Sequence, residues 1–143
     1  MKSLYLSVGV LAMALAASSA SAQQQVNLRA GFLPDPHEVS VYSGGSNNAS
    51  NLGGRCTGMI SDTPDVVVNF NSSGGRLAFQ VVSRGDTSLV INGPDGRYYC
   101  DDDTNGLNPV LDWSNAPSGQ YDVWIGAVGD AASATLQISE SSF

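Results

Sequence analysis

The sequence predicts an all-β protein, a single jelly-roll-like β-sandwich, on three observations. Short runs rich in Val, Ile, Phe and Tyr alternate with clusters of Gly, Asn, Asp, Pro and Ser. These runs recur at the close spacing that two packed sheets need. Beyond residue 22, no window of helical length carries a 3.6-residue apolar period.

In order, the predicted strands are VNLRA (26–30), EVSVYS (38–43), TGMI (57–60), DVVVNF (65–70), RLAFQVVS (76–83), TSLVIN (87–92), RYYC (97–100), PVLDW (109–113), QYDVWIGA (120–127) and ATLQIS (134–139). The best alternation is in QYDVWIGA. It sends Tyr121, Val123 and Ile125 to one face and Gln120, Asp122 and Trp124 to the other. Turn chemistry separates the runs: Gly93-Pro94-Asp95-Gly96 joins TSLVIN to RYYC, and Pro117-Ser118-Gly119 precedes QYDVWIGA. Ala127 to Ala134 is alanine-rich but short, carries Gly129, and reads as a loop.

Residues 1–22 are expected to lie outside this fold. Lys2 gives a positive start, LYLSVGVLAMALAA an apolar stretch, and Ala20-Ser21-Ala22 a small-residue cleavage site, the pattern of a signal peptide. The stretch is too short and poorly flanked for a transmembrane helix, and no Cys near the site offers a lipid anchor. Residues 23–37, with LPDP and three leading Gln, are expected to be a partly ordered N-terminal arm, and 38–143 the sandwich. The expected location is the periplasm or the cell exterior.

Beyond Ala22, five Arg and no Lys face 13 acidic residues, a formal charge of −8. That balance argues against nucleic acid or anionic lipid, which need a basic face. Cys56 and Cys100 are the only cysteines, and an even pair in an oxidising compartment is expected to form a disulfide. Neither belongs to a CxxC, so redox catalysis and zinc binding have no support.

From Val66 to Ser139 the sequence resembles the bacterial pre-peptidase C-terminal domain family. Three pieces carry the likeness: DTSLVINGPDG (86–96), CDDDTNGLNPVLDW (100–113) and SGQYDVWIGA (118–127), with ATLQIS in the place of the family's last strand. The whole chain beyond Ala22, including VNLRAGFLPDPHEVSVYSGG and GGRCTGMISDTPD, is also similar to small exported alphaproteobacterial proteins, some labelled serine peptidases by transfer. The family resemblance implies a non-catalytic jelly-roll-like sandwich, often appended to secreted peptidases and in some members calcium-dependent. Here no peptidase accompanies it.

The residues themselves offer no recognisable catalytic set. A Ser-His-Asp triad needs a His base, and the one histidine, His37, sits in LPDPHE. GDSGG, G-x-S-x-G and HExxH are all missing, and no Lys remains for a Ser-Lys dyad. A secreted hydrolase of serine-peptidase type therefore stands as an alternative by resemblance only. It requires His37 to meet a Ser and an Asp in one cleft.

The most suggestive stretch is DDDTNGLNPVLD (101–112). Asp101, Asp103 and Asn105 occupy positions one, three and five, Gly106 position six and Asp112 position twelve, the oxygen spacing of a calcium loop. Strands on both sides, Asn108 at the usually apolar eighth position and Pro109 after it exclude an EF-hand. Two readings remain, a non-helical Ca2+ loop and an Asx turn whose side chains cap their own backbone. Asp86 and Asp95 are further acids that folding could bring close. Trp113 and Trp124, with Tyr98 and Tyr99, are candidate aromatics for a protein- or glycan-binding face, Trp124 because its alternation turns it away from Val123 and Ile125. The sequence thus points to an exported binding or accessory domain, with hydrolase and glycan- or protein-binding module as alternatives.

Overall fold

The computed structural model describes residues 23–143; the expected signal peptide, 1–22, lies outside the described residues. The chain runs β1 (Gln24–Arg29), β2 (His37–Tyr42), β3 (Asn47–Asn48), a 3-10 turn (Ala49–Leu52), β4 (Met59–Ile60), β5 (Val66–Asn71), β6 (Leu77–Ser83), β7 (Thr87–Asn92), β8 (Tyr98–Asp101), β9 (Val110–Trp113), β10 (Gly119–Ala127) and β11 (Ser133–Ser139). The all-β sandwich is therefore as predicted, and each of the ten predicted strands lies within two residues of an observed one.

Seven strands form one sheet around β10, which pairs with β5 along one edge and with β7 along the other; β8 continues beyond β7, and β1 beyond β5. The second sheet is β2-β11-β6-β9, antiparallel throughout. From β5 onward the chain crosses between sheets at almost every connection, leaving only the β7–β8 hairpin within one sheet. That hairpin turns at Gly93–Gly96, with Gly96 at φ 77° and its N–H donating to the Gly93 carbonyl.

Two features differ from expectation. Residues 24–29 do not stand apart as an arm: β1 pairs in parallel with β5, Gln24 opposite Val66 through Arg29 opposite Asn71. Val26 is buried, and Leu28 and Ala30 pack partly buried against the main core, so alternate apolar side chains hold β1 together with the ladder. The parallel pair also departs from an all-antiparallel jelly roll. Second, the stretch before the predicted strand TGMI is itself structured: with it, 43–60 forms β3, the 3-10 turn and β4 and lies back across the larger sheet.

The main core sits between the sheets. Val66, Val68, Leu89, Ile91, Tyr121, Val123 and Ile125 meet Leu77, Phe79, Val81, Leu136 and Ile138, all fully buried. Tyr121 buries its ring there while its hydroxyl donates to the Pro117 carbonyl at 2.7 Å, and burial pushes its pKa up to about 12. A second, smaller core lies on the opposite face of the larger sheet: Ala49, Ile60, Val90 and Trp124, with Cys56 and Cys100 against them.

Candidate functional site

The second core begins with a cross-strand row. Trp124 on β10 stands opposite Val90 on β7, and Val90 opposite Cys100 on β8, so all three project from the same outer face. A bare sheet would expose them. Instead the 43–60 excursion covers them, and Cys56 bonds to Cys100 with 4.9 Å between Cα atoms, as the sequence led us to expect. The cover lies close because glycines clear its path: a Cβ on Gly45 would overlap the Ile60 backbone, and one on Gly126 would overlap the Ser88 hydroxyl. That hydroxyl donates to the Thr57 carbonyl at 2.7 Å, fastening the excursion to β7.

Trp124 therefore turns to the face that alternation assigned it but is not exposed; only 9% of it remains accessible. Its expectation as an open binding aromatic is corrected: it is the floor under the cover. Trp113 is corrected too. It leans into the main core, edge-on to Phe79, Tyr99 and Tyr121 with centroids 5.8, 5.1 and 5.4 Å away. Of the four candidate aromatics, the one that reaches the surface most is Tyr98, 48% exposed and 6.1 Å from Trp124 between ring centroids.

Beside these two rings lies a cavity of about 290 Å³. Asn47, Asn48 and Asn51 contribute carboxamides to its walls, Asp62 a carboxylate, and Leu52 and Ile60 apolar surface. Asn48 caps the 3-10 turn by accepting from the Ser50 N–H at 2.9 Å, and Asn47 donates to Asp62. The indole N–H of Trp124 is buried and has no partner among the described residues. Sequence reasoning missed this wall, since NNASNLGG reads only as turn residues. Cys56 was the available signal, because a disulfide to a strand must pull its flanking segment onto the sheet.

The acidic loop is differently made. The Asp101 carboxylate accepts from the N–H groups of Thr104 at 3.2 Å and Val110 at 2.8 Å, so it ties the loop to the start of β9. Asn105 and Asn108 exchange backbone bonds at 3.0 and 3.1 Å around Gly106, which takes φ 64°. Asp112 lies on β9 opposite Ala78 and pairs with Arg76 across the neighbouring strand. Asp103 is exposed. Of the four expected Ca2+ ligands, Asp101 and Asp112 thus have protein partners, while Asp103 and the Asn105 side chain have none among the described residues, and no group of three or more His, Cys, Asp or Glu among these residues is placed to hold a metal ion. Desolvation raises the pKa of Asp102, aided by repulsion from Asp103, Asp101 and Asp86, with Arg55 opposing. Asp86 has therefore come near the loop. Asp95 has not joined it; its carboxylate accepts from the Tyr99 hydroxyl at 2.6 Å and the Arg97 N–H at 3.0 Å, which holds its pKa low.

A further carboxylate matters to the fold. β5 and β4 both lie along the same edge of β10, but the chain leaves that edge between them, opposite Ile125. Asp65 closes the gap: its side chain accepts from the Ile125 N–H at 2.8 Å, and the Ile125 carbonyl accepts from the Gly44 N–H at 3.0 Å. Half-buried here, Asp65 is pushed above the usual carboxylate range by desolvation, which its bonds to Ile125 and Ser61 offset only in part. It lines a cavity of about 400 Å³ together with Ser43 and Ser61. His37 is not near that cavity. It starts β2, opposite Ile138; six residues of strand rise separate it from Ser43, roughly 20 Å. Ser43 is occupied in turn, accepting the Ala132 N–H at 2.9 Å.

The sequence matches no protein-family model and no curated protein. Among solved structures, the fold is similar to PliG of Aeromonas hydrophila, a periplasmic inhibitor of g-type lysozyme. The match has 11% identity and a TM-score of 0.40, over 82% of this chain and 98% of that one.

Proposed function

We propose that this chain is an exported, non-catalytic binding domain, and that its working surface is the disulfide-locked cover on the outer face of the larger sheet. One observation carries this reading: a sandwich whose main core is already complete devotes a further segment and its sole disulfide to building a second core around Trp124. The product is a fixed surface with Tyr98, Leu52 and three Asn side chains displayed around a cavity. Rigid scaffolds presenting a few polar and aromatic groups are how binding sites are usually built. The Cys56–Cys100 bond supports work in an oxidising compartment, in line with signal-peptide removal after Ala22. Kinship with the pre-peptidase C-terminal family belongs to the same proposal. The segments that suggest it fall on β7 and β8, the acidic loop, and β10.

The test is capture from the envelope and culture medium of the producing cell. Tagged full-length protein should be recovered outside the cytoplasm without free thiols. It should retain envelope material that Tyr98→Ala and Leu52→Asp lose while melting like the parent chain. Capture unaffected by both changes would refute the assignment of this face.

A further inference from the structure

We infer that the cavity beside Trp124 is a binding site for one uncharged saccharide ring, an inference that rests on the binding-domain reading and gives it a ligand class. A pyranose has two kinds of surface, and the cavity offers a partner for each. Its C–H face carries slight positive charge and packs on the negative face of an aromatic ring; Tyr98 stands half-exposed at the edge of this cavity, braced by Trp124. Its hydroxyls lie around the ring edge and both donate and accept. Asn48 and Asn47 each use one end of the carboxamide in the fold, which leaves Asn48 its NH2 donors and Asn47 its carbonyl acceptor. Asp62 and Asn51 add an acceptor and a mixed donor–acceptor pair on the same wall.

The indole of Trp124 makes the wall rigid from behind. Trp124 forms part of the cavity wall, is more than nine-tenths buried, and keeps an N–H with no acceptor among the described residues. At about 290 Å³ the cavity sits at the small end of ligand sites and takes one ring rather than a chain of them. The charge selects further. Asp62 in the wall and the net negative charge of the protein disfavour acidic sugars.

The experiment uses the chain from Gln23 onward, which comprises the whole described fold, labelled with nitrogen-15. It is titrated with neutral mono- to tetrasaccharides of glucose, galactose, mannose and N-acetylglucosamine. A site for one ring supports affinities around millimolar, so titration runs to ~10 mM or above. The two indole N–H signals give an internal control. At least one saccharide should move the Trp124 signal and leave Trp113 in place, and Tyr98→Ala should weaken that saccharide roughly tenfold at unchanged melting temperature. Asn51→Ala, at an exposed position, gives a second variant that leaves the fold intact. No response of Trp124 to any sugar overturns the inference, as does a response that survives both substitutions. If envelope capture still depends on Tyr98 while no sugar binds, the face is a binding surface for something other than a saccharide. If neither occurs, both readings fall.

Discussion

Asp65 shows how one side chain can stand in for a missing strand. Where β5 leaves β10, its carboxylate takes the ladder bond that the departed backbone would have made to Ile125. Removing the acceptor by Asp65→Ala should cost about 1–3 kcal/mol in urea unfolding. The pH dependence has a definite sign. Burial raises the folded-state pKa above the unfolded one, so the carboxyl stabilises the fold while protonated. That contribution is complete below the ordinary carboxylate range and is lost as pH rises through the folded value. Asp65→Asn keeps an oxygen acceptor without the charge; its stability should therefore gain on the parent chain between about pH 4 and pH 7. Denaturant melts at the two pH values check this. Trp124→Ala, which empties the floor of the second core, should destabilise by roughly 3–5 kcal/mol in the same assay. Asp65 was not legible in the sequence, where it is merely the polar residue before VVVNF.

At the scale of elements, legibility followed pattern. Strands β5 to β7, β10 and β11 each bury most of at least one face, and their apolar residues announce it. β10 was read correctly face by face. What alternation could not reveal was that its outer face is covered as well, because the covering elements carry almost no apolar signal of their own. Asn47–Asn48 is a two-residue strand, and the 3-10 turn after it buries only Ala49. Tertiary contacts, Gly45, Gly126 and the disulfide put them there. β1 was read as a strand from Val26, but its polar start, Gln24-Gln25, gave no sign that it joins the larger sheet beside β5. Closing a loop across 44 residues contributes up to about 4 kcal/mol. Replacing both Cys56 and Cys100 with Ala should lower global stability by no more than that. It should also speed amide exchange in 47–60 well before β5, β7 or β10. Uniform loss of protection across the sheet would show that the cover is not a separable unit.

At the scale of the whole molecule, the outer face and the acidic loop make competing claims on function. The loop's spacing suggested Ca2+, yet two of the four side chains serve the protein: Asp101 holds two backbone N–H groups and Asp112 holds Arg76. Spacing along the chain showed which oxygens could converge, but β9 pairing with β6 carried Asp112 off to its own partner. A cation bound at a hundredfold its dissociation constant would add about 2.7 kcal/mol, raising the melting temperature of a domain this size by roughly 10 °C. Millimolar calcium should instead have no more effect than magnesium at equal ionic strength, in the parent chain and in Asp103→Ala alike. The outer face, by contrast, has an exposed aromatic ring and a cavity walled by carboxamides. Hydrogen–deuterium exchange of the protein with and without the envelope material it captures decides between them. Added protection should be confined to 47–62 and 98–100. Protection centred on 101–108, or none anywhere, would contradict the assignment of the disulfide-locked face as the binding surface.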